Sequence, residues 1–285
     1  MNEALANLKQ YVGKSEMATD VVTASAIVKL AATLGVETPA SAKGDEIPPG
    51  WHGSFFPASH RPSEMRADGQ AAGGGIVPPV PLPRRRLRGI RTSFHQPLRI
   101  GDEITCKSEI ADITVNEDES GSTVSMVVRQ SITSPLGLAV VEERNLLYLG
   151  EANPGTKPAH LTSVPAEAAW RREIDPNPVL MFRFSAVRFN SHRIHYDRDY
   201  TTKVEGLPGL VVQGTLVSLL LIELCRSEMP AHTIASFGYQ TVRQIYDTGS
   251  FTIAGAPADN GRGAKLWALD PDGKLAMNAT ATLVK

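Results

Sequence analysis

One short stretch constrains this chain more than any other. Behind Gly214, the residues Leu216, Val217, Leu219, Leu220, Leu221, Ile222, Leu224 and Cys225 would cover most of the circumference of a helix. A helix that is apolar nearly all round is a buried one. Its longest apolar run, Leu216 to Ile222 broken by Ser218, falls far short of the roughly 20 residues that span a bilayer. Continued to about Arg226, the helix is roughly 20 Å long, the length of a strand of about six residues. An antiparallel sheet wrapped around it would bury it on every side, and the fold class is then α+β.

The order of elements indicates that such a unit occurs twice. In the first half, Ile27, Val28, Leu30, Ala31 and Leu34 recur at helical spacing behind a cap at Thr23 or Ser25, and Gly35 ends the run. Residues 48–83 hold eight prolines and six glycines in 36 positions, which excludes a regular helix or sheet there. Gly73-Gly-Gly75 reads as a plain loop, since no strand precedes it and no Gly-Lys-Ser/Thr follows. Strands are expected from Arg99, over Val124–Thr133 and over Ala139–Tyr148, with turns at Glu117–Gly121 and Ser134–Gly137. Five prolines between 151 and 178 mark a linker. The second half is expected to start as a strand over Leu180–Phe189, to continue with the buried helix, and to end in strands near 235–244, 250–254, 264–269 and 275–284.

A weak internal repeat supports the duplication: Phe94–Gly101 aligns without gaps on Val242–Gly249, and Gly137–Val141 on Gly273–Met277. The expected architecture is a double hot dog, two tandem antiparallel sheets each wrapped around a helix. Its units are residues 1–150 and 179–285, joined by 151–178.

Composition excludes several functions. With 29 Lys+Arg against 30 Asp+Glu the net charge is −1, which does not suit phosphate neutralisation on nucleic acid. Two cysteines, Cys106 and Cys225, make neither a disulfide framework nor a four-thiolate metal site. The first residues, Met-Asn-Glu-Ala-Leu-Ala-Asn-Leu, are not a secretory signal. The expectation is a cytoplasmic protein without nucleic-acid or membrane partners.

The densest polar cluster is Asn190-Ser-His-Arg-Ile-His-Tyr-Asp197, with His192 and His195 three residues apart. Histidine gives and takes protons near neutral pH, and Asn190 could hold a water against His195. The second candidate is Leu207-Pro-Gly-Leu-Val-Val-Gln-Gly214, which leads into the buried helix. The first N–H groups of a helix lack internal partners and favour negative charge. A thioester carbonyl on the N–H of Gly214 or Thr215 would be polarised as in an oxyanion hole. Together these parts describe addition of water across a double bond conjugated to a thioester.

The runs Phe189–Asp197 and Val204–Gly214 resemble the C-terminal half of double-hot-dog hydratases of the MaoC-like, or FAS1-like, dehydratase family. Pro48-Pro-Gly-Trp51, Arg91–Asp102 and Val141-Glu-Glu143 resemble its N-terminal half. Nearer members of that group hydrate itaconyl-CoA or mesaconyl-CoA (3-methylfumaryl-CoA) to citramalyl-CoA. The resemblance implies a hydro-lyase acting on an acyl-CoA, with a catalytic second half and a degenerate first half that shapes the acyl pocket. It implies His195 as the histidine of the wider Asp-x-Asn-Pro-x-His motif and Gly214 as the glycine that holds the thioester oxygen. Asn190 stands at the aspartate position and His192 at the asparagine position. An asparagine is no base, so either His195 works with Asn190 orienting the water, or His192 or Asp197 supplies a second proton-transfer group. Arg193 and the run Arg84, Arg85, Arg86, Arg88 and Arg91 are candidates for the substrate carboxylate and the phosphates of coenzyme A. The run could equally be a solvated strand edge.

No cofactor is expected beyond coenzyme A as part of the substrate. No metal is expected either, since a zinc site would need His160 or Asp197 to join His192 and His195. A fused pair of hot dogs equals one conventional dimer, so a homodimer of this chain stays open. Competing functions are a 3-hydroxyacyl-ACP dehydratase of fatty acid synthesis, a non-catalytic acyl-thioester-binding module, and a thioesterase. The last would need an acid near the start of the buried helix, and Glu223 lies too deep along it.

Overall fold

The computed structural model describes residue 5 and residues 7–72, 75–118, 121–150 and 167–285. The tip of the expected Glu117–Gly121 turn, Gly73-Gly74 and most of the expected linker lie outside these residues. Among them ten strands form one antiparallel sheet. They are β1 (Ser15–Val21), β2 (Arg84–Phe94), β3 (Glu103–Asp118), β4 (Gly121–Ser134) and β5 (Gly137–Leu149) in the first half. The second half has β6 (Trp170–Ile174), β7 (Thr233–Thr241), β8 (Phe251–Ala258), β9 (Gly263–Leu269) and β10 (Leu275–Val284). Their order is β1-β3-β4-β5-β2-β7-β10-β9-β8-β6. The two expected sheets thus merge at a seam where Gly89–Ser93 pair with Gln240–Ser236. Outward from that seam both halves run through their strands in the same order.

The sequence repeat falls at equivalent points of the two halves. The N–H groups of His95 and Gln96 both donate to Ala139 O, and those of Val242 and Arg243 both donate to Ala276 O. The structural register is one residue out of step with the gapless alignment.

Among the described residues the helices α1 (Ala24–Leu34), α2 (Pro178–Val187) and α3 (Gly214–Glu228) accompany the sheet. The first starts behind Thr23 and stops at Gly35, which takes left-handed dihedrals. The second corrects the expectation of a strand over Leu180–Phe189. Asn177 caps it by accepting from the N–H groups of Val179 and Leu180, and Pro178 occupies its first turn. Every residue of α3 from Leu216 to Cys225 is buried, as its apolar circumference requires.

Topology shows which helix is whose counterpart. The first helix follows β1 as α2 follows β6. Only the second half then inserts a long helix before its next strand. Between α1 and β2 the described residues hold only short 3-10 turns at Trp51–Ser54 and Pro62–Glu64. The first half therefore has no equivalent of α3, because its proline- and glycine-rich segment cannot make one. That segment instead sends Trp51, fully buried, onto α3, where the indole Nε1–H donates to Glu223 Oε1 at 2.7 Å. Glu223 also accepts from Arg226, and both bonds give it a structural role.

Three strands lie outside the expected ones, the first being β2, whose arginine run was read only as a possible strand edge. β1 is an edge strand of mostly exposed residues paired with β3. β6 falls inside the expected linker but pairs with β8, so Trp170–Ile174 belong to the second half's sheet. No helix among the described residues is long and apolar enough to cross a membrane.

Candidate active site

Between α2 and α3 the chain makes an irregular passage with a 3-10 turn at Arg193–His195 and a π-turn at Tyr200–Val204. His195 is buried there. Its Nδ1 lies 2.7 Å from Val211 O, while Val211 N–H donates back to Ile194 O. A carbonyl only accepts, so Nδ1 carries the proton and Nε2 is left with a free lone pair. Burial, reinforced by the neighbouring His192, pulls the imidazole down to about 4 despite the Val211 bond. At neutral pH His195 is an uncharged base whose tautomer is fixed.

His192 meets the His195 ring edge-on, with centroids 5.4 Å apart. Gln70, from the proline-rich segment of the first half, places its amide nitrogen 3.0 Å from His192 Nε2, and Arg85 donates to the Gln70 oxygen. Burial holds His192 below its ordinary range. The segment around Gln70 is docked by Arg193 N–H on Asp68 O, Arg193 Nη1 on Ala67 O and Ser191 Oγ on Gly69 O. Gly69 has φ +81° and its backbone lies against the Ser191 carbonyl so closely that a Cβ would clash. The first half's loop is thus packed directly on the histidine run.

Asn190 accepts the His192 N–H on its Oδ1 and lines a cavity. Asp197 is not free for proton transfer. It takes Arg193 Nε and Nη2 at 3.0 and 2.8 Å and accepts the Tyr200 N–H, and the Tyr200 and Arg193 bonds lower its carboxyl. The same contacts correct the role expected for Arg193: its guanidinium is held by Asp197 and Ala67 and stacks 3.9 Å over the Tyr200 ring. Among the described residues no third His, Cys, Asp or Glu joins the histidine pair. His160 lies outside them.

Gly214 is the first residue of α3. Neither its N–H nor that of Thr215 has a hydrogen-bond partner among the described residues. Only Met277 Cε comes within 4 Å of where a Cβ of Gly214 would stand. Gln213 ties this helix end to α2 by donating to Met181 O and Ser185 Oγ. Two adjoining cavities open beside Thr215. The larger is lined by residues of β2, β3, β4 and β5, so it occupies the hollow of the first half's sheet, where no long helix stands.

The cavities contain charge that the sequence reading missed. Glu142 on β5 is buried and accepts from Arg144 Nε at 2.7 Å, with His52 Nε2 at 3.1 Å. Burial alone would raise its carboxyl, but Arg144 and His52 hold it far below the usual carboxylate range. Arg188, just after α2, and Arg144 line both cavities. None of Arg84, Arg86, Arg88, Arg91 and Arg193 lines either. Arg84 donates to Gly150 O, and Arg86, Arg88 and Arg91 are exposed along β2. Arg88 is the extra residue of a bulge between Leu87 and Gly89. The local run drew attention because its members adjoin in sequence, whereas His52, Glu142, Arg144 and Arg188 meet only in the fold.

Residues 50–247 match the model of the family "hydroxyacyl-thioester dehydratase type 2". A mesaconyl-C(4)-CoA hydratase of Chloroflexus aurantiacus is 36% identical over 273 residues, covering 96% of each chain. A solved MaoC-like dehydratase superposes with a TM-score of 0.72 at 13% identity, over 98% of this chain and 99% of its own. A Mycobacterium tuberculosis protein described as a double hot dog superposes at 0.59 with 12% identity, over 96% of each. The chain belongs to the hydroxyacyl-thioester dehydratase type 2 family, and is a double-hot-dog hydro-lyase of acyl thioesters.

Proposed function

We propose that the protein adds water reversibly to a short dicarboxylic enoyl-CoA, with 3-methylfumaryl-CoA (mesaconyl-C4-CoA) or itaconyl-CoA as substrate and citramalyl-CoA as product. The observation that carries this is His195, a buried neutral imidazole with Nδ1 locked on Val211 O and Nε2 free. It is joined through three residues to the unpartnered N–H groups at the start of α3. The resemblance to the Chloroflexus hydratase over nearly the whole chain supports the choice of acyl group.

The thioester oxygen rests on the N–H groups of Gly214 and Thr215, where the helix end favours the negative charge of an enolate. Asn190 orients a water, and His195 Nε2 takes its proton as the oxygen bonds to the β-carbon. With 3-methylfumaryl-CoA the imidazolium returns that proton to the α-carbon; itaconyl-CoA, whose double bond is β,γ to the thioester, first needs a proton moved from its α-carbon to its terminal methylene to bring the bond into conjugation. One C–O and one C–H bond form, the C=C π bond is lost, and His195 ends neutral. The exposed Arg86, Arg88 and Arg91 remain available to the phosphates of coenzyme A.

The test follows the ultraviolet absorbance of the enoyl thioester with 3-methylfumaryl-CoA, itaconyl-CoA and crotonyl-CoA in separate reactions, and checks products by mass for one added water. Fast hydration of a dicarboxylic thioester, with crotonyl-CoA slower, is expected, and His195→Ala should abolish it. Preference for crotonyl-CoA would overturn the dicarboxylic assignment, and no hydration of any of the three would overturn the CoA-hydratase reading in favour of an ACP-linked substrate.

A further inference from the structure

Arg188 is a cavity-lining cation without a described carboxylate partner. Its guanidinium presents five N–H donors, yet it makes no hydrogen bond or ion pair with any described residue. Its one described ring contact is Phe184, 5.8 Å away. It nevertheless lines both cavities, in company with Thr215 at the start of α3, and shares the larger with Asn190. The backbone of Gly53 lies flat against it, since a Cβ there would collide with both terminal nitrogens and the carbon between them.

The surroundings leave positive charge in excess. Arg144 is paired with Glu142, whereas no described carboxylate makes an ion pair with Arg188, which feels Glu142 only at longer range. The nearby His52 is buried and its Nδ1 has no partner. Tyr239 lines the smaller cavity beside it, its phenol kept protonated by burial. An unpaired, half-buried cation is costly, and one facing a cavity with further donors around it is built for an anion. Phosphates of coenzyme A fit poorly here, because Ile222, Leu219 and Phe237 of the core line the same smaller cavity. In 3-methylfumaryl-CoA the free carboxylate sits on the β-carbon that water attacks. Its receptor must therefore share a cavity with Asn190 and Thr215, as Arg188 does.

We propose that Arg188, backed by Arg144, is the receptor for the free carboxylate of the acyl group and sets the preference for dicarboxylic over monocarboxylic thioesters. This deepens the hydratase reading and rests on it for the placement of the acyl group. Burial and the adjacent Arg144 lower the guanidinium to about 10, so it is still a cation at neutral pH.

The test is a binding ratio that needs no turnover. Calorimetry would compare 2-methylsuccinyl-CoA (thioester at C4) with butyryl-CoA; neither has a double bond to hydrate. The parent protein should prefer the dicarboxylate, and Arg188→Met should cut that preference roughly 30-fold or more. Arg188→Lys, which keeps the charge and loses the fork, should restore part of it. Gly53→Ala keeps Arg188 but displaces it, and should lower the preference in a folded protein even if the arginine variants misfold. A preference that moves less than about threefold in the folded variants overturns the proposal. Dicarboxylate preference without hydration of any enoyl-CoA would sink the hydratase reading and leave the receptor standing. Hydration of crotonyl-CoA with no carboxylate preference would do the reverse.

Discussion

Acidification offers a direct reading of the His195 site. In the unfolded chain this imidazole would protonate near 6.5, whereas in the native protein burial holds it at about 4. Between those values the native state binds fewer protons than the unfolded one, so stability rises with pH across that window. The contribution is complete above about pH 6.5, declines as pH falls, and is gone below about 4. At about 1.4 kcal/mol per pH unit the gap amounts to roughly 3 kcal/mol. Urea denaturation of the parent protein and of His195→Gln, at stepped pH, isolates this term because other acid-sensitive groups are common to both. The stability difference between the two should shrink by about 3 kcal/mol from pH 7.5 to pH 4. In the proposed mechanism the same group is the base, so the acid limb of kcat/KM should lie near pH 4. An acid limb near 6.5, together with a pH-independent stability difference, would refute a buried neutral His195.

Three further outcomes are expected. Glu142→Gln strands Arg144 beside Arg188 and should destabilise the protein by roughly 2–4 kcal/mol in urea, an effect that moderate salt partly relieves as anions enter the cavity. Gly69→Ala, at positive φ and with its Cβ driven into the Ser191 backbone carbonyl, should lower the melting temperature markedly, because the clash adds to left-handed strain of about 1–2 kcal/mol, and lower kcat as Gln70 shifts from His192; an unchanged kcat would show the loop to be irrelevant to the site. Arg193→Ala removes a half-buried pair with Asp197 and the bond to Ala67 O, and should leave KM for the thioester within about twofold, since Arg193 lines neither cavity; a tenfold rise in KM would return Arg193 to the substrate.

How legible the molecule was in its sequence depended on whether its signals were local. The buried helix was legible because its apolar circumference admits one environment. The strands β3 and β4 alternate for most of their length and β10 does so from Met277 onward, whereas β5 was legible from its apolar content between turn residues. β1 was not, because an edge strand of exposed residues such as Glu16 and Asp20 carries no apolar alternation. Helix α2 carried a readable start, Asn177-Pro178, but its alternating Leu180, Phe182 and Phe184 imitated a strand. Within the site, His195, Asn190 and Gly214 lie in one run ending at a helix. Glu142 and Arg144 sit on a strand, more than 40 residues from Arg188 and about 90 from His52. Charged residues on a strand ordinarily face water, and nothing in their spacing announces that the fold turns these inward.

The missing helix of the first half has a consequence in stoichiometry. A duplicated hot dog with equal halves would offer two equivalent sites and bind two thioesters per chain. In the proposed site one half contributes the hollow of its sheet and the other contributes the helix end and the histidine, and neither can exchange parts with its twin. Duplication has become division of labour, and a titration should reach its endpoint at one thioester per chain, whatever number of chains associate.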